Sequence, residues 1–544
     1  MGVFNTINLG NLRGDIFGGV TASIVSLPLA LAFGVASGAG PAAGLYGAVL
    51  VGLFAALFGG TSTLISEPTG PMTVVMTAVL ATMIAQNPDN GVAMAFTVVM
   101  IAGVFQILLG ALKLGKYITL MPYSVISGFM SGIGVILIIL QLAPFLGHPT
   151  PPGGVLGTLE QLPQLWQNIA PTEAILGAIT LAILFFMPQK LGRLVPPQLV
   201  ALVIGTLVSL YLFSAADVRR IGEIQLGLPA ITVPTFTSDQ ITTMVLDGII
   251  LGTLGCIDSL LTALIADSLT RSEHKSDREL VGQGIGNLVS GMFGGLPGAG
   301  ATMGTVVNIQ SGARTALSGV TRALVLLVVV LGAAQLTENI PLAVLAGIAL
   351  KVGINILDWS FVKRAHRVSW HAALIMYGVM LLTIFVDLIV AVGLGVFIAN
   401  VLTIQRLSEL QTKNVKAISD ADDDVPLTDE EKKLLDQAAG RVLLVYLSGP
   451  MIFGVSKAIA REHAGLDQYA CIVLDLSDVP LIDTTVSLAI ENAIKDAVAL
   501  ERQVFIVGPS KQAKKTLERL GLFELIPGTQ LCKTRTEALQ RALA

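Results

Sequence analysis

The stretch "GGLPGAGATMGT", Gly294 to Thr305, holds five glycines and a proline in twelve positions. It interrupts a chain that is apolar on both sides of it. Glycine and proline weaken helices, and the backbone groups they leave unpaired are expensive in lipid. One reading is that small residues here only permit tight helix packing. The other is that the chain breaks a membrane helix on purpose, to expose its start.

The surrounding composition sets the context. Of 544 residues, 53% are hydrophobic and only 13% charged, and the mean hydropathy is +0.77. Soluble domains carry about twice that share of charge. The chain therefore reads as an α-helical polytopic membrane protein rather than one soluble core. A net charge of −4 gives no reason to expect nucleic acid. Cys256, Cys471 and Cys532 are far apart and match neither a disulfide framework nor a zinc spacing. The N-terminus has no basic start, compact apolar run and cleavage site, so no signal peptide is expected.

Apolar runs recur over 14–33, 41–59, 70–86, 91–113, 122–145, 173–188, 196–214, 245–266, 282–294, 302–312, 315–335, 340–357, 371–387 and 388–404. These predict fourteen membrane segments, of which those starting near Gly70 and Thr302 are too short to cross alone. Lys113 and Lys116, Lys190 and Arg193, Arg271, Lys275 and Arg278, and Lys363, Arg364 and Arg367 fall in alternate loops, while 147–173 carries no Lys or Arg. Both termini are therefore expected in the cytoplasm, with the protein multi-pass in the plasma (inner) membrane. Arg219 and Arg220 are an exception to this pattern.

The chain also repeats weakly. Asp15 opens the first segment and Asp247 the eighth, an offset of 232, and the same offset carries "PTG" at 68–70 onto "GAT" at 300–302. Two halves of seven segments each imply an inverted repeat. Short Gly/Pro-interrupted segments at matching places are the best sequence pointer to a transporter's site. Each broken segment becomes a half-helix whose start offers free N–H donors and about half a positive charge. Two such starts facing each other suit a small anion. Thr69, Gly70 and Thr302 are the candidate anion-binding residues, the threonines adding hydroxyl contacts.

"GCIDSLLTALIADSLT" places Asp258 deep in the eighth segment, where a carboxylate costs about 2.5–3.5 kcal/mol. It must be protonated, paired or bound to a cation. Thr262 shares its helix face, and freed carbonyls such as that of Gly300 complete an oxygen cage suited to Na⁺. A proton relay or a structural, solvated Asp is the alternative. Glu67 reads as a structural acceptor near the first half-helix and is left out of the site. Lys351 and Asp387 lie near segment ends, and Asp267 near the inner mouth.

Beyond 404 the composition becomes polar. Residues 405–440 read as a helical linker with an acidic turn at 420–424. From 441 to 544 strand runs ("RVLLVYL", "CIVLDL", "VFIVG") alternate with helical stretches near 453–463, 484–499, 511–520 and 534–543. This predicts a cytoplasmic α/β domain of about a hundred residues, after a transport domain over 1–404.

The 7+7 order, "SEPTGPMTVV", "MPYSVISGFMSGIG", "GQGIGNLVSGMFGGLPGAGATMGTVVN" and the C-terminal domain together resemble the SulP (sulfate-permease type) anion transporters with a C-terminal STAS domain. Within that family the likeness is strongest to its sodium-dependent bicarbonate transporters. The resemblance implies core and gate subdomains, elevator-type movement and a homodimer paired through STAS. It carries anion binding onto Thr69, Ala301 and Thr302, and sodium binding onto Asp258, Thr262, Gly300 and Thr302. Many relatives have a Ser-Arg pair where this chain has Met303 and Gly304; a bound cation replaces the missing charge, as a symporter would need. STAS regulators phosphorylate a serine at the position of Thr484, although a plain helix cap at Asp483–Thr484 explains those residues too.

The expected function is sodium-dependent bicarbonate uptake by Na⁺/HCO₃⁻ symport, with Na⁺ as a co-transported ion. The alternatives are a proton- or sodium-coupled permease for sulfate or another small anion, an anion channel, or a STAS-bearing membrane regulator. No HExxH, nucleophile elbow or phosphate-binding lysine loop points to an enzyme.

Overall fold

The computed structural model describes the chain except residues 1–4, 6, 8, 119–121, 189–190, 192–194, 214–217, 223–230, 237–238, 333–336, 387, 413, 421–424 and 453–468. Lys190, Arg193, Asp387, most of the acidic turn and the helix expected over 453–463 lie outside those residues. The chain divides into two compact units, Met1–Val396 and Phe397–Ala544.

Each of the fourteen apolar runs coincides with a helix. They are α1 (Leu12–Ser37), α2 (Pro41–Phe58), α3 (Gly70–Gln86), α4 (Gly91–Ala111), α5 (Tyr123–Phe145), α6 (Pro171–Phe186), α7 (Pro197–Leu212), α8 (Ile241–Thr270), α9 (Ser276–Met292), α10 (Thr302–Gln310), α11 (Leu317–Gly332), α12 (Leu342–Ile356), α13 (Trp370–Phe385) and α14 (Leu388–Thr412). Among the described residues, α1, α2, α4, α5 and α8 are long and apolar enough to cross a bilayer by length and composition alone. The loop before α6 contains a further amphipathic helix, Gly154–Gln167, bent by 111° against α6. Its Leu165 packs on Ala143 and Leu146.

Several helices extend past their apolar windows, α8 and α9 among them. α8 is longer at both ends than 245–266, and α9 begins at Ser276, six residues before its apolar run. The first turn of α9 carries Asp277 and Glu279. The Glu279 carboxylate accepts the N–H groups of Gly60 and Thr61, each at 2.8 Å. A neighbour's backbone thus satisfies the charge, and the helix continues where hydropathy alone stops it.

The helices pack as two bundles. In the first, α9 lies against α4 and α2, α8 against α4, and α11 against α1 and α2, with α10 on α1 and α8. In the second, α5 packs on α12 and α13, and α6 on α7 and α12. These match the expected core and gate. α4 and α9 meet at glycines: a methyl group at Gly284 would stand 2.5 Å from the Gly103 carbonyl oxygen. Van der Waals contact between close backbones holds such a crossing together without hydrophobic drive.

The second unit is a five-stranded sheet with helices on both faces. β3 (Val415–Ile418) pairs antiparallel with β4 (Val442–Ser448), and β5 (Cys471–Asp478), β6 (Gln503–Val507) and β7 (Leu531–Cys532) follow in parallel. Val486, Ile490 and Ile494 of α16 (Thr484–Ala499), with Leu517 of α17 (Lys511–Arg519), fill one face. Leu435 of α15 (Asp429–Ala438) and Leu539 of α18 (Arg535–Leu543) fill the other. The stretch expected as a helical linker is only partly helical, because Val415–Ile418 supplies an edge strand. Continuous apolar strands buried on both faces are what parallel pairing demands.

Candidate functional site

The two glycine- and proline-rich breaks meet. Ser66–Glu67 (β1) pairs antiparallel with Ala299–Gly300 (β2), Ser66 opposite Gly300 and Glu67 opposite Ala299. Past this two-residue ladder the strands diverge and become helices. The N-cap of α3 is Thr69 and that of α10 is Ala301, again related by the offset of 232. Both caps are extended, and neither start has a side-chain cap. The first-turn N–H groups, which elsewhere bond to a Ser, Thr or Asp side chain, are left for another partner. Glycine is required at Gly298, where a Cβ would stand 2.8 Å from the Glu67 carbonyl.

A cavity of about 300 Å³ opens between these starts. Six expected site residues line it: Thr69, Gly70, Asp258, Gly300, Ala301 and Thr302. Leu29, Phe33, Met130, Val352 and Ile356 supply apolar wall. Polar groups converging in an otherwise apolar pocket fix a ligand's orientation.

α8 runs behind the cavity and presents one face to it. Asp258 is 7% exposed, and its Oδ2 accepts the Thr69 hydroxyl at 2.8 Å. No Lys, Arg or His among the described residues forms an ion pair with it. One turn on, fully buried Thr262 donates its hydroxyl to the Gly300 carbonyl at 2.8 Å and lies 3.1 Å from Thr302 Oγ1. Ser259 Oγ accepts the Gly300 N–H at 3.0 Å. Thr262, Gly300 and Thr302 therefore form one hydrogen-bonded, oxygen-rich group, with Thr262 a layer behind the cavity wall, and Asp258 lines the same cavity as Gly300 and Thr302. A carboxylate, hydroxyls and a carbonyl are hard donors, suited to a hard cation. The Thr69–Asp258 bond joins the expected anion-binding and sodium-binding sets, a link that spacing along the chain does not reveal.

The expectation also missed a buried cation. Arg322 of α11 is 0% exposed, and its Nη2 donates to the Glu67 carboxylate. Its Nη1 donates to the carbonyls of Ala48 and Ser66, each at 2.9 Å, and Nε to Ser26 Oγ at 3.0 Å. Gly52 leaves room for it, since a Cβ there would stand 2.3 Å from Nη1. The signal was present: a lone arginine inside "LSGVTRALVLLVVVLG" needs a buried acid. Glu67 is thus a structural acceptor, as expected, with a partner that was not foreseen.

The second half-helix is held by neutral groups. Asn287 accepts the Gly298 N–H at 2.7 Å and donates to the Gly298 carbonyl at 2.9 Å. Gln283 reaches across to the first break, donating to Ser66 Oγ at 2.6 Å. Both amides lie on α9, in the motif "GQGIGN".

A larger cavity of about 660 Å³ adjoins the first, the two sharing Met303 and Asn355 as wall. It lies toward the C-terminal end of α10 and the start of α7, and Lys351 of α12 lines it. Asp267, at the end of α8, accepts His274 Nδ1 at 2.6 Å and stands apart from both cavities. In the second unit, Thr484 is the exposed first residue of α16, while Asp483 caps that helix by accepting the Val486 N–H at 2.8 Å.

Comparison with known proteins agrees with this architecture. The profile of the Sulfate permease family matches residues 12–379, and that of the STAS domain matches 434–538. The chain is 64% identical over 543 residues to the "Bicarbonate transporter BicA" of Synechocystis sp., covering 100% of this chain and 96% of that protein. It is 62% identical over 547 residues to the protein of the same name from Picosynechococcus sp., covering 100% and 97%. A solved transmembrane domain of a cyanobacterium bicarbonate transporter BicA superposes with a TM-score of 0.68 at 66% identity, covering 72% of this chain and 100% of that one. Murine Slc26a9, an anion transporter, shares the fold with a TM-score of 0.83 at 18% identity, covering 99% and 92%. With the helical transport unit and the α/β unit both accounted for, the chain belongs to the sulfate permease family and carries a STAS domain.

Proposed function

We propose that this protein imports bicarbonate together with Na⁺ across the plasma membrane. The single observation that carries this reading is the convergence of two uncapped half-helix starts and the unpaired acid Asp258 on one cavity of about 300 Å³. The names of the two full-length relatives above 60% identity support the same substrate.

Charge decides between anions. Two helix starts supply about half a positive charge each, which offsets the Asp258 carboxylate. A sodium ion then balances one monovalent anion, and the loaded site is close to neutral. Sulfate would leave a negative charge in the membrane. A lone imported anion also works against the membrane potential, at about 2.3 kcal/mol per 100 mV. Na⁺ at Asp258, Thr262, Gly300 and Thr302 restores the positive field that Met303 and Gly304 do not provide. The anion sits against Thr69, Gly70, Ala301 and Thr302. Each ligand raises the other's affinity, because coupling is reciprocal.

In the assigned orientation both termini are cytoplasmic, and the larger cavity opens to the cytoplasm. The core bundle moves against the gate as an elevator, and two copies pair through their STAS domains. Thr484 is exposed, as a regulatory phosphorylation site must be.

The test is radiolabelled bicarbonate uptake by proteoliposomes, with and without Na⁺, in competition with sulfate, nitrate and chloride. Uptake that needs Na⁺ and resists excess sulfate is expected. Uptake indifferent to Na⁺ overturns the coupling, and full competition by sulfate favours the sulfate-permease reading.

A further inference from the structure

Lys351 is the one charged residue of an otherwise apolar helix, "LAVLAGIALKVGINI", five residues before its C-terminal end. Its Nζ stands 3.9 Å from the centre of the Phe185 ring. Among the described residues no carboxylate forms an ion pair with it. A lysine inside a membrane bundle is expensive and marks an ion path by default. The ring face stabilises an ammonium without occupying all of its N–H donors.

Its surroundings are equally specific. Among the described residues, the 660 Å³ cavity has Lys351, Gln198, Gln310, Asn355, Ser311 and Thr21 but no Asp or Glu in its wall. The smaller cavity beside it has both Asp258 and Glu67. Asn355 lies four residues after Lys351, on the same helix face, and borders both cavities. An anion leaving the half-helix site therefore passes Asn355 and meets amides, two hydroxyls and the Lys351 ammonium. Sodium finds no carboxylate among the described residues there.

We infer that Lys351 forms a second, cytoplasm-facing subsite for a small monovalent oxyanion, one step inward of the half-helices. The inference rests on the anion path and orientation proposed above. The subsite draws bicarbonate away from Na⁺, so the two ions part on the inner side, and it sets how strongly bicarbonate binds from the cytoplasm.

The experiment measures sodium-saturated bicarbonate flux in membrane vesicles of both orientations. In inverted vesicles, Lys351→Met should raise the half-saturating bicarbonate concentration about tenfold, the factor lost with roughly 1.4 kcal/mol of binding. Lys351→Arg should stay near wild type, and Lys351→Gln should follow Lys351→Met. In right-side-out vesicles, half-saturation for bicarbonate and for Na⁺ should not change. Unchanged half-saturation at the cytoplasmic face in both neutral variants overturns the subsite. An equal shift at both faces overturns it too, by placing the lysine in the central site. Wild-type vesicles without sodium-dependent flux would instead sink the symport reading itself.

Discussion

The starts of α3 and α10 are related by the internal repeat, yet they are held by different chemistry. The α3 start is anchored by charge: Arg322 clamps Glu67 and the Ser66 carbonyl in full burial. Neutral groups anchor the α10 start, with Asn287 on Gly298, and Ser259 and Thr262 on Gly300. α3 runs 17 residues and α10 only nine. The comparison teaches that symmetry supplies the geometry of two opposed helix ends, and that the later divergence of side chains supplies function. One end is a fixed scaffold, and the other offers oxygen atoms that a cation can share.

The largest effect is expected at the acid that bonds the α3 start and lines the cavity between both ends. Asp258→Asn should keep the fold but lower sodium-driven bicarbonate uptake by about a hundredfold, within the usual range of coupling energies. Sodium dependence that survives this change would separate the cation from α8 altogether. Next comes the charged anchor. Arg322→Met strands a buried carboxylate and should cost about 3–5 kcal/mol of stability, whereas adding Glu67→Gln should recover much of it. Thermal unfolding in detergent reads both; a double variant no more stable than the single one would break the proposed pairing.

The neutral anchor should respond differently. Thr262→Val removes a hydroxyl from the Gly300 carbonyl, a loss of about 1–3 kcal/mol, and should raise half-saturating Na⁺ about tenfold. Half-saturating bicarbonate, measured at saturating Na⁺, should move little. A shift in bicarbonate alone would move this contact from the cation to the anion site. The smallest effect is expected at a helix start that does have a side-chain cap. Thr484→Ala should leave the stability of the STAS domain unchanged, whereas Asp483→Ala should cost about 1 kcal/mol. The reverse order would show that Thr484, not Asp483, terminates that helix.

Much of this comparison was legible in the chain. The offset of 232 located both breaks, because glycine and proline recur at matched places in the two halves. Asp258 stood out since a carboxylate at that depth needs an explanation, and Thr262 followed from helical spacing. The three central strands β4, β5 and β6 were legible as unbroken apolar runs, whereas the two-residue β7 was too short to show. What was not legible depended on long-range closure. Arg322 and Glu67 are separated by 255 positions, and no local period links them. The polar face of α9 was visible as a motif, but hydrophobic periodicity assigns amides no partner. The helix start at Ser276 was missed for the same reason, the Glu279 charge being settled by the distant backbone of Gly60 and Thr61. At the Thr270 end, by contrast, Asp267 is met locally by Ser272 and His274. The edge strand Val415–Ile418 was hidden by its polar flanks.

The most direct test counts the two ions together. Radiolabelled sodium and bicarbonate should enter proteoliposomes in equal numbers, each flux requiring the other ion, and both should be lost in Asp258→Asn. Bicarbonate entry without accompanying sodium, or paired entry that persists in Asp258→Asn, would contradict the account.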